Sequence, residues 1–570
     1  MSNIRLFLLL ALGLVGFQLW LAWQQDYGRP AATAATEAAP ATAATEAASA
    51  AEGEVPTPAT SPSEAPAAAP PAVDALPEAS NASATGRTVI IENDVLRLHV
   101  STRGAEIEAA ELLKYSVSLE QKDTPVKLLT REFDRWFIAQ SGLNAAQGSP
   151  ALPNHTAELT IDGDRHALAP GADTLEVPFT WTDGQGVSVR KVLSLSRGSY
   201  VLNVRDVIDN QGGTTVQASQ YRQFQRVPPP RPSSFAFSNP ELYAFVGAAV
   251  YSPDQHFTKL DFANFESEPY ARSFAGGWSA MQQHYFVSAF IPKADEITQY
   301  ETKILAGGNG LPTRYLLRQS SPTLAVAPGQ SATLESRLYI GPKLQRQLDE
   351  VAPGLEYTVD YGIVTFLAVP LFWVMDHLHK LVGNWGLAII LLTLLVKLAF
   401  YRLSEAQYRS MAKMKKVQPR LEQLKERYGD NREKLAQAQL ELFKQEKVNP
   451  LGGCLPILVQ MPVFIALYWV IFESVELRQA PFFLWIQDLS VKDPFFILPV
   501  LNVLVMWYTQ KLSPTPGMDP VQRRVLQTMP LVFGVLFAFF PAGLVLYWLA
   551  NGLLGLIQQL VIMRRVEGAK

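Results

Sequence analysis

One cysteine, Cys454, in 570 residues excludes an internal disulfide framework and any cysteine-cluster metal site. Histidine is also scarce: of the seven, only His377 and His379 lie close together. Two positions apart on a helix, they fall on different faces and make no metal pair. Charge of one sign is lacking as well. The 49 Lys and Arg against 52 Asp and Glu leave a net charge of −3, so no global basic field points to nucleic acid. There is no glycine loop followed by the lysine that grips a nucleotide phosphate. No metal site and no cofactor are expected.

What the chain does have is long apolar runs, unevenly placed. Arg5 precedes a run from Leu6 to Trp23. It is longer than the usual apolar core of a cleavable signal, about 7–15 residues. As a helix it nearly crosses a hydrocarbon layer of about 30 Å, with Trp20 and Trp23 at the far interface. The expectation is an uncleaved transmembrane anchor over 1–25, with Met1 in the cytoplasm. The small residues at Ala31–Ala34 are the feature that a cleaved signal peptide would need. Residues 26–86, rich in Ala, Pro, Thr, Ser and Glu, can bury too little surface to offset their chain entropy and read as a disordered tether.

From Arg87 the texture changes. Runs such as TVIIENDVLRLHVST and RKVLSLSRGSYVLNVRDVIDN alternate apolar and polar residues between Gly, Asn, Asp and Pro. The pattern predicts an all-β sandwich over 87–342, with Trp136, Trp181, Phe224, Trp278, Tyr285 and Phe286 in its core. Lying between membrane segments, it should face the periplasm. A sandwich can hold a cleft, which keeps a hydrolase or sugar-processing reading open. No nucleophile–base set accompanies it, and fold analogy is weak evidence of activity.

The last third is mostly apolar. Residues 343–384 read as a linker and an interfacial amphipathic helix, because Gly362–Met375 is short and interrupted by Pro370. A transmembrane helix is expected over 385–403. Residues 404–447 carry many Lys and Arg, which concentrate on the cytoplasmic side of membrane proteins. Met411, Met414, Leu421, Leu424 and Tyr428, then Leu435, Leu442 and Phe443, recur at helical spacing around a break at Gly429–Asn431. They predict a cytoplasmic helical hairpin. Four further spans are expected over 448–563: Leu455–Phe472, Pro494–Tyr508, Leu526–Phe540 and Gly543–Ile562. Pro462 is tolerable inside a bundle. Residues 564–570 form a cytoplasmic tail with Arg564, Arg565 and Lys570. The expected fold class is thus a multidomain membrane protein: a periplasmic all-β sandwich, an α-helical five-span transmembrane core, and the N-terminal anchor.

The segments VGNWG, AQYRSMAKMKKVQP, EKVNPLGGCLPILVQMPVFIALY, SVELRQAPFFLWIQDLS and FPAGLVLYWLANGLLGLIQQ resemble the YidC/Oxa/Alb family of bacterial membrane insertases. The specific resemblance covers about Tyr361–Arg564. The anchor, tether and sandwich match the Gram-negative form in order and size. The resemblance implies a non-enzymatic insertase and chaperone in the cell inner membrane, multi-pass, with both termini cytoplasmic. It implies nascent integral membrane proteins as clients, action with or without the Sec translocase and its SecDF components, a ribosome met by the cytoplasmic hairpin and tail, and the lipid bilayer as the other partner.

Polar residues inside the spans are the candidate site. Lys397 lies about twelve residues into its helix, where a charge costs about 2.5–3.5 kcal/mol on insertion scales. A hydrated cavity relieves that cost; so would snorkelling of its stem to the headgroups. Thr393 is four residues earlier on the same face. Tyr547, Asn551 and Gln558 fall near one face of the last span, and Gln460 lies in the proline-containing one. The expected groove, open to cytoplasm and lipid, is lined by Lys397, Thr393, Gln460, Tyr547, Trp548 and Asn551. Phe464, Leu467, Phe533 and Phe537 are the expected slide on which a client's apolar helix reaches lipid. The family usually has Arg where this chain has Lys397, which keeps the charge and loses the two-point donor fork. Arg402 stands where relatives commonly have Pro. A transporter would predict an internal repeat, which is not seen. An anchored periplasmic receptor leaves the polar-striped spans without a role.

Overall fold

The structure, a computed structural model, describes residues 86–229, 244–308, 310–429, 431–446, 455–512 and 520–568. The expected anchor, nearly all of the tether, Cys454 and the end of the tail lie outside them.

Residues 88–342 build two β-sheets that share an apolar core. The larger sheet runs from Ala271–Phe274 through Thr298–Leu305, Arg314–Ser320, Val216–Arg226, Phe137–Ala145, Ile107–Ser116, Leu96–Ser101 and Thr88–Glu92 to Arg165–Ala167. The smaller runs from His256–Leu260 to Thr174–Thr182. Neighbours pair antiparallel, except Thr88–Glu92 with Arg165–Ala167, which pair in parallel. Val201–Asn210 shows the alternation that the sequence suggests, with Leu202, Val204 and Ile208 buried. Phe224, Trp278 and Phe286 are buried, Trp136 nearly so, and Trp181 and Tyr285 pack partly buried against the core.

The central strand Val216–Arg226 departs from the half-buried expectation. Its polar residues are buried too, because strands pair along it and both its faces are covered. They are satisfied by residues brought in from elsewhere in the chain: Arg222 Nη2 lies 2.8 Å from Glu296, and Arg318 Nε donates to Gln223 over 2.9 Å. Buried charge is tolerated only when paired in this way.

Nine helices, numbered among the described residues, follow the last strand: α1 (Gln345–Val351), α2 (Thr365–Val382), α3 (Trp385–Ala399), α4 (Tyr401–Tyr428), α5 (Arg432–Gln445), α6 (Leu455–Glu473), α7 (Ile497–Leu512), α8 (Pro520–Phe537) and α9 (Ala542–Gly568). By length and composition, Gly362–Val382 and Ala542–Arg565 suffice to cross a membrane, and α3 with α4 passes as a broken pair. The apolar portions of α6 and α8 are shorter.

Two boundaries differ from the sequence reading. The helix expected within 343–384 outlasts its apolar run Gly362–Met375 and ends at Gly383, whose φ of 66° suits the left-handed cap. Pro370 leaves it unbroken. The run expected as one span to Leu403 is interrupted at Phe400, and α4 departs at 68°. Leu and Phe continue through the bend, so hydropathy alone does not mark it. The last helix runs on past Ile562 to Gly568.

α4 and α5 form a hairpin joined by Val417, Leu421 and Leu442, with Met414, Leu424 and Phe443 beside them. Asn431 starts α5, its Oδ1 accepting from the Lys434 amide at 3.1 Å. Arg420 pairs with Glu446 across the hairpin. α9 packs against α3, α4, α6 and α7, and α2 packs against α3 and α6.

Candidate functional site

α3 starts on the Asn384 side chain, which accepts from the Leu387 amide at 3.0 Å. Its inward face carries Ala388, Ile389, Leu392, Thr393 and Lys397; Leu394, Leu395 and Leu398 face outward. The four-residue spacing therefore brings Thr393 and Lys397 to one buried face. The Thr393 hydroxyl donates to its own helix at the Ile389 carbonyl, 2.7 Å away, which leaves only its lone pairs for anything else. Lys397 is 7% exposed, so it does not snorkel free of the protein. Its Nζ is aimed at α9, 3.5 Å from where a side chain on Gly555 would begin. Among the described residues it forms no ion pair or hydrogen bond. A buried ammonium without a carboxylate is costly unless water reaches it.

On α9, Tyr547 is buried and Trp548 and Asn551 are half-buried. Among the described residues, neither Trp548 Nε1 nor Gln558 Oε1 has a hydrogen-bond partner. Gln460 on α6 is half-buried. The structure brings one subset of the expected residues together around aromatic rings. Phe464 lies 4.6 Å from Trp548 and 6.1 Å from Tyr547, and Trp548 lies 5.2 Å from Phe537, which stacks on Phe533 at 5.9 Å. Lys397 faces α9 lower down, at Gly555, about 12 Å along the helix from Tyr547. Charge and aromatic cluster thus occupy two levels of one helix.

The structure divides the expected slide residues. Leu467 and Phe537 are each 2% exposed and belong to the interior, while Phe464 and Phe533 are half-buried. The outward apolar surface is carried by Met461 and Ile465 on α6 and by Leu531, Val532 and Val535 on α8. Phe464 and Leu467, three apart, share the inner side of α6; Met461 and Ile465, four apart, share the outer. Hydrophobicity could not tell the two sides apart, because both are apolar.

Sequence reasoning passed over three polar groups. Among the described residues, Gln559 is fully buried with neither amide atom bonded, Asn502 on α7 is buried with no partner for Nδ2, and Tyr408 on α4 donates to the Gly555 carbonyl at 3.1 Å. Gln559 follows Gln558 directly, and two four-residue steps on from Asn551 would have found it.

The segment after α6 ties helices and sandwich together. Arg478 Nη2 donates to the Ser116 and Val117 carbonyls at 2.7 and 2.9 Å, and Gln479 exchanges hydrogen bonds with Ser116. His284 Nε2 lies 2.9 Å from the Phe472 carbonyl, and burial pushes its pKa down to about 3. Both ends of α2 reach the same segment. Tyr361, just before α2, is bonded by Gln345 and faces Ser474, and Asn384, just after it, donates to the Pro481 and Phe482 carbonyls.

Glu476 sits in this joint with one carboxylate oxygen buried and, among the described residues, unbonded; burial raises its pKa to about 7. A carboxyl raised above its unfolded value contributes full stability below about pH 4.5 and loses it as pH rises through about 7. Glu476→Gln is therefore expected to stabilise the full-length protein at pH 8 by roughly 1–2 kcal/mol, read as a higher thermal midpoint, and to leave the midpoint unchanged near pH 4.5. His284 is common to both proteins and cancels in the difference. Equal midpoints at pH 8 would remove the buried-charge account.

Comparison with known proteins follows the same division. Residues 88–374 match the family described as the YidC periplasmic domain, and residues 377–569 match the 60Kd inner membrane protein family. The chain is 45% identical to the membrane protein insertase YidC of Thioalkalivibrio sulfidiphilus, over 100% of this chain and 99% of that one. It is 45% identical to that of Alkalilimnicola ehrlichii over 100% and 96% of the two chains, and 44% identical to that of Methylococcus capsulatus over 100% and 99%. A solved structure of an active YidC insertase with its first transmembrane domain resolved covers 83% of this chain and 92% of that one, at 20% identity and a TM-score of 0.38.

Proposed function

The chain belongs to the YidC family of membrane protein insertases, and on that premise we propose that it inserts clients through a hydrated groove organised around Lys397. Its work is on nascent membrane proteins in the inner membrane, and it is an insertase rather than an enzyme.

The observation that carries the groove is Lys397 itself: an ammonium on an inward helix face, nearly buried, without a carboxylate among the described residues. Water entering from the cytoplasmic side would hydrate it, and the same water would receive the polar tail or loop of a client. Lys397 attracts the acidic groups of that tail. Thr393, Gln460 and Asn551 replace some of its hydration. The hydrocarbon that polar residues must cross is thereby shortened. The client's apolar helix then leaves along Met461, Ile465, Leu531, Val532 and Val535, the outward faces of α6 and α8. Burial of its side chains in lipid, about 0.8 kcal/mol per CH₂ group, drives that step. Chemistry of this kind needs no nucleotide.

The topology that fits puts the sandwich in the periplasm and the basic α4–α5 hairpin and both termini in the cytoplasm. α2 then lies along the outer interface, although its length and composition would suffice for a span. Its ends, about 27 Å apart, are both tied to the segment that follows α6, which favours lying along the membrane over crossing it. The hairpin and tail are the surfaces to meet a ribosome through RNA phosphates, and the sandwich is the surface to meet Sec translocase components, SecDF among them.

Purified protein in phosphatidylethanolamine–phosphatidylglycerol liposomes, offered a small single-span client without nucleotide, is expected to insert it well above the rate of empty liposomes. Rates equal to those of empty liposomes would overturn the proposal.

A further inference from the structure

Lys397 and Tyr408 stand on either side of the 68° bend between α3 and α4, yet both reach the same point of α9. Lys397 Nζ and the Tyr408 hydroxyl each lie 3.5 Å from the position that a Cβ on Gly555 would take. Tyr408 also donates to the Gly555 carbonyl at 3.1 Å. Gly555 is buried. It continues the stripe of Tyr547 and Asn551 at the next four-residue step, and it is the member of that stripe with no side chain. Its φ is ordinary, so backbone strain is not the reason for glycine here. The space beside it is.

We infer that Gly555 is a notch that sets where the Lys397 ammonium rests, and that Tyr408 latches α4 to α9 at that level, so that the two are positioning residues for the charge of the groove. The inference rests on the reading of Lys397 as the client-attracting charge. A methyl group at 555 would sit at ordinary contact distance from both neighbours and is tolerated. A branched side chain would occupy the place of the ammonium and the hydroxyl. The ammonium, on a flexible stem, would then move away from α9. The Tyr408 hydroxyl holds the Gly555 carbonyl through its hydrogen, so loss of the hydroxyl alone frees the latch and leaves the ring in place.

The test uses full-length protein in phosphatidylethanolamine–phosphatidylglycerol liposomes and two matched single-span clients, one with two Asp in its tail and one with two Asn. The readout is the ratio of their insertion rates, which a purely structural defect would leave unchanged. G555A is expected to keep the wild-type ratio. G555L is expected to lower it at least threefold while the neutral client inserts within twofold of wild type, and Y408F to lower it to a smaller degree. K397A is expected to bring the ratio close to one, and G555L added to K397A to change it no further. G555L or Y408F with an intact ratio, equal losses for both clients, or additive losses in the double variant would each overturn the inference and leave the role of Lys397 standing. Should K397A keep the wild-type ratio, the reading of Lys397 falls, and the notch and latch with it.

Discussion

Replacing Lys397 by Ala is expected to slow insertion of a client with an acidic tail by about tenfold or more, while a client with a neutral tail is far less affected. Two unit charges 4 Å apart interact by about 4 kcal/mol where the effective dielectric constant is about 20, and by about 1 kcal/mol in bulk water. A half-wet groove lies between those limits, and each 1.4 kcal/mol is tenfold in rate. Lys397→Arg keeps the charge and should stay within roughly threefold of wild type; its planar fork is not required if the attraction is electrostatic. Because the groove would be open to solution, the difference between wild type and Lys397→Ala should shrink as salt is raised from 0.05 to 0.5 M, assay values set by the screening length of about 10 Å at 0.1 M. Rates measured in liposomes decide the matter: an Ala variant that handles the acidic client normally would refute the role given to Lys397.

Asp493→Ala is expected to destabilise the helical region by about 3 kcal/mol. The Asp493 side chain is buried and accepts from Trp485 Nε1 at 3.0 Å, the Phe495 amide at 3.0 Å and the Leu498 amide at 2.7 Å. Hydrogen bonds to a charged acceptor contribute about 1.5–3 kcal/mol each, and water recovers part of that when the carboxylate is removed. These bonds start α7 and fix the loop that precedes it. The loop needs fixing: Leu484 and Phe496 have φ of 55° and 57°, left-handed conformations that cost a residue with a side chain about 1–2 kcal/mol each. Asp493→Asn keeps one acceptor oxygen and should lose about half as much. Thermal unfolding in detergent reports the stability, and limited proteolysis between Ala480 and Ile497 reports the loop. Unchanged melting and unchanged cleavage would show that the carboxylate is dispensable.

Much of the fold was legible before any coordinate. The alternation in Val201–Asn210, the breaks at Gly, Asn and Asp, and the amphipathic repeat of Met414, Leu421 and Leu442 each record one element's need to bury one face, which is a local property. The bend at Phe400 was not legible, because the residues that form it, Leu398 to Tyr401, are as apolar as the helix before them. Nor was the buried polar strand Val216–Arg226: its Gln and Arg residues read as solvent-facing until Gln140 from a neighbouring strand and Glu296 from the turn before Thr298–Leu305 are brought in to satisfy them.

The candidate site divided the same way. Spacing alone put Thr393 and Lys397 on one face, since that follows from 3.6 residues per turn. Spacing could not separate the inner residues Leu467 and Phe537 from the outer Ile465 and Val535, because in a bilayer both sides of a helix are apolar and only packing distinguishes them.

By itself, then, the amino-acid order determined that a β-sandwich precedes a helical region, that apolar runs recur through that region, and where a charge intrudes among them. Tertiary structure alone decided that Lys397 and Tyr408 meet at Gly555, that Arg478 and Gln479 hold the sandwich to the helices, and that both ends of α2 reach the segment after α6. The reason is physical. Periodicity encodes what each element must bury, whereas these contacts join residues far apart in the chain, and the sequence carries no local signature of a partner that only folding brings near.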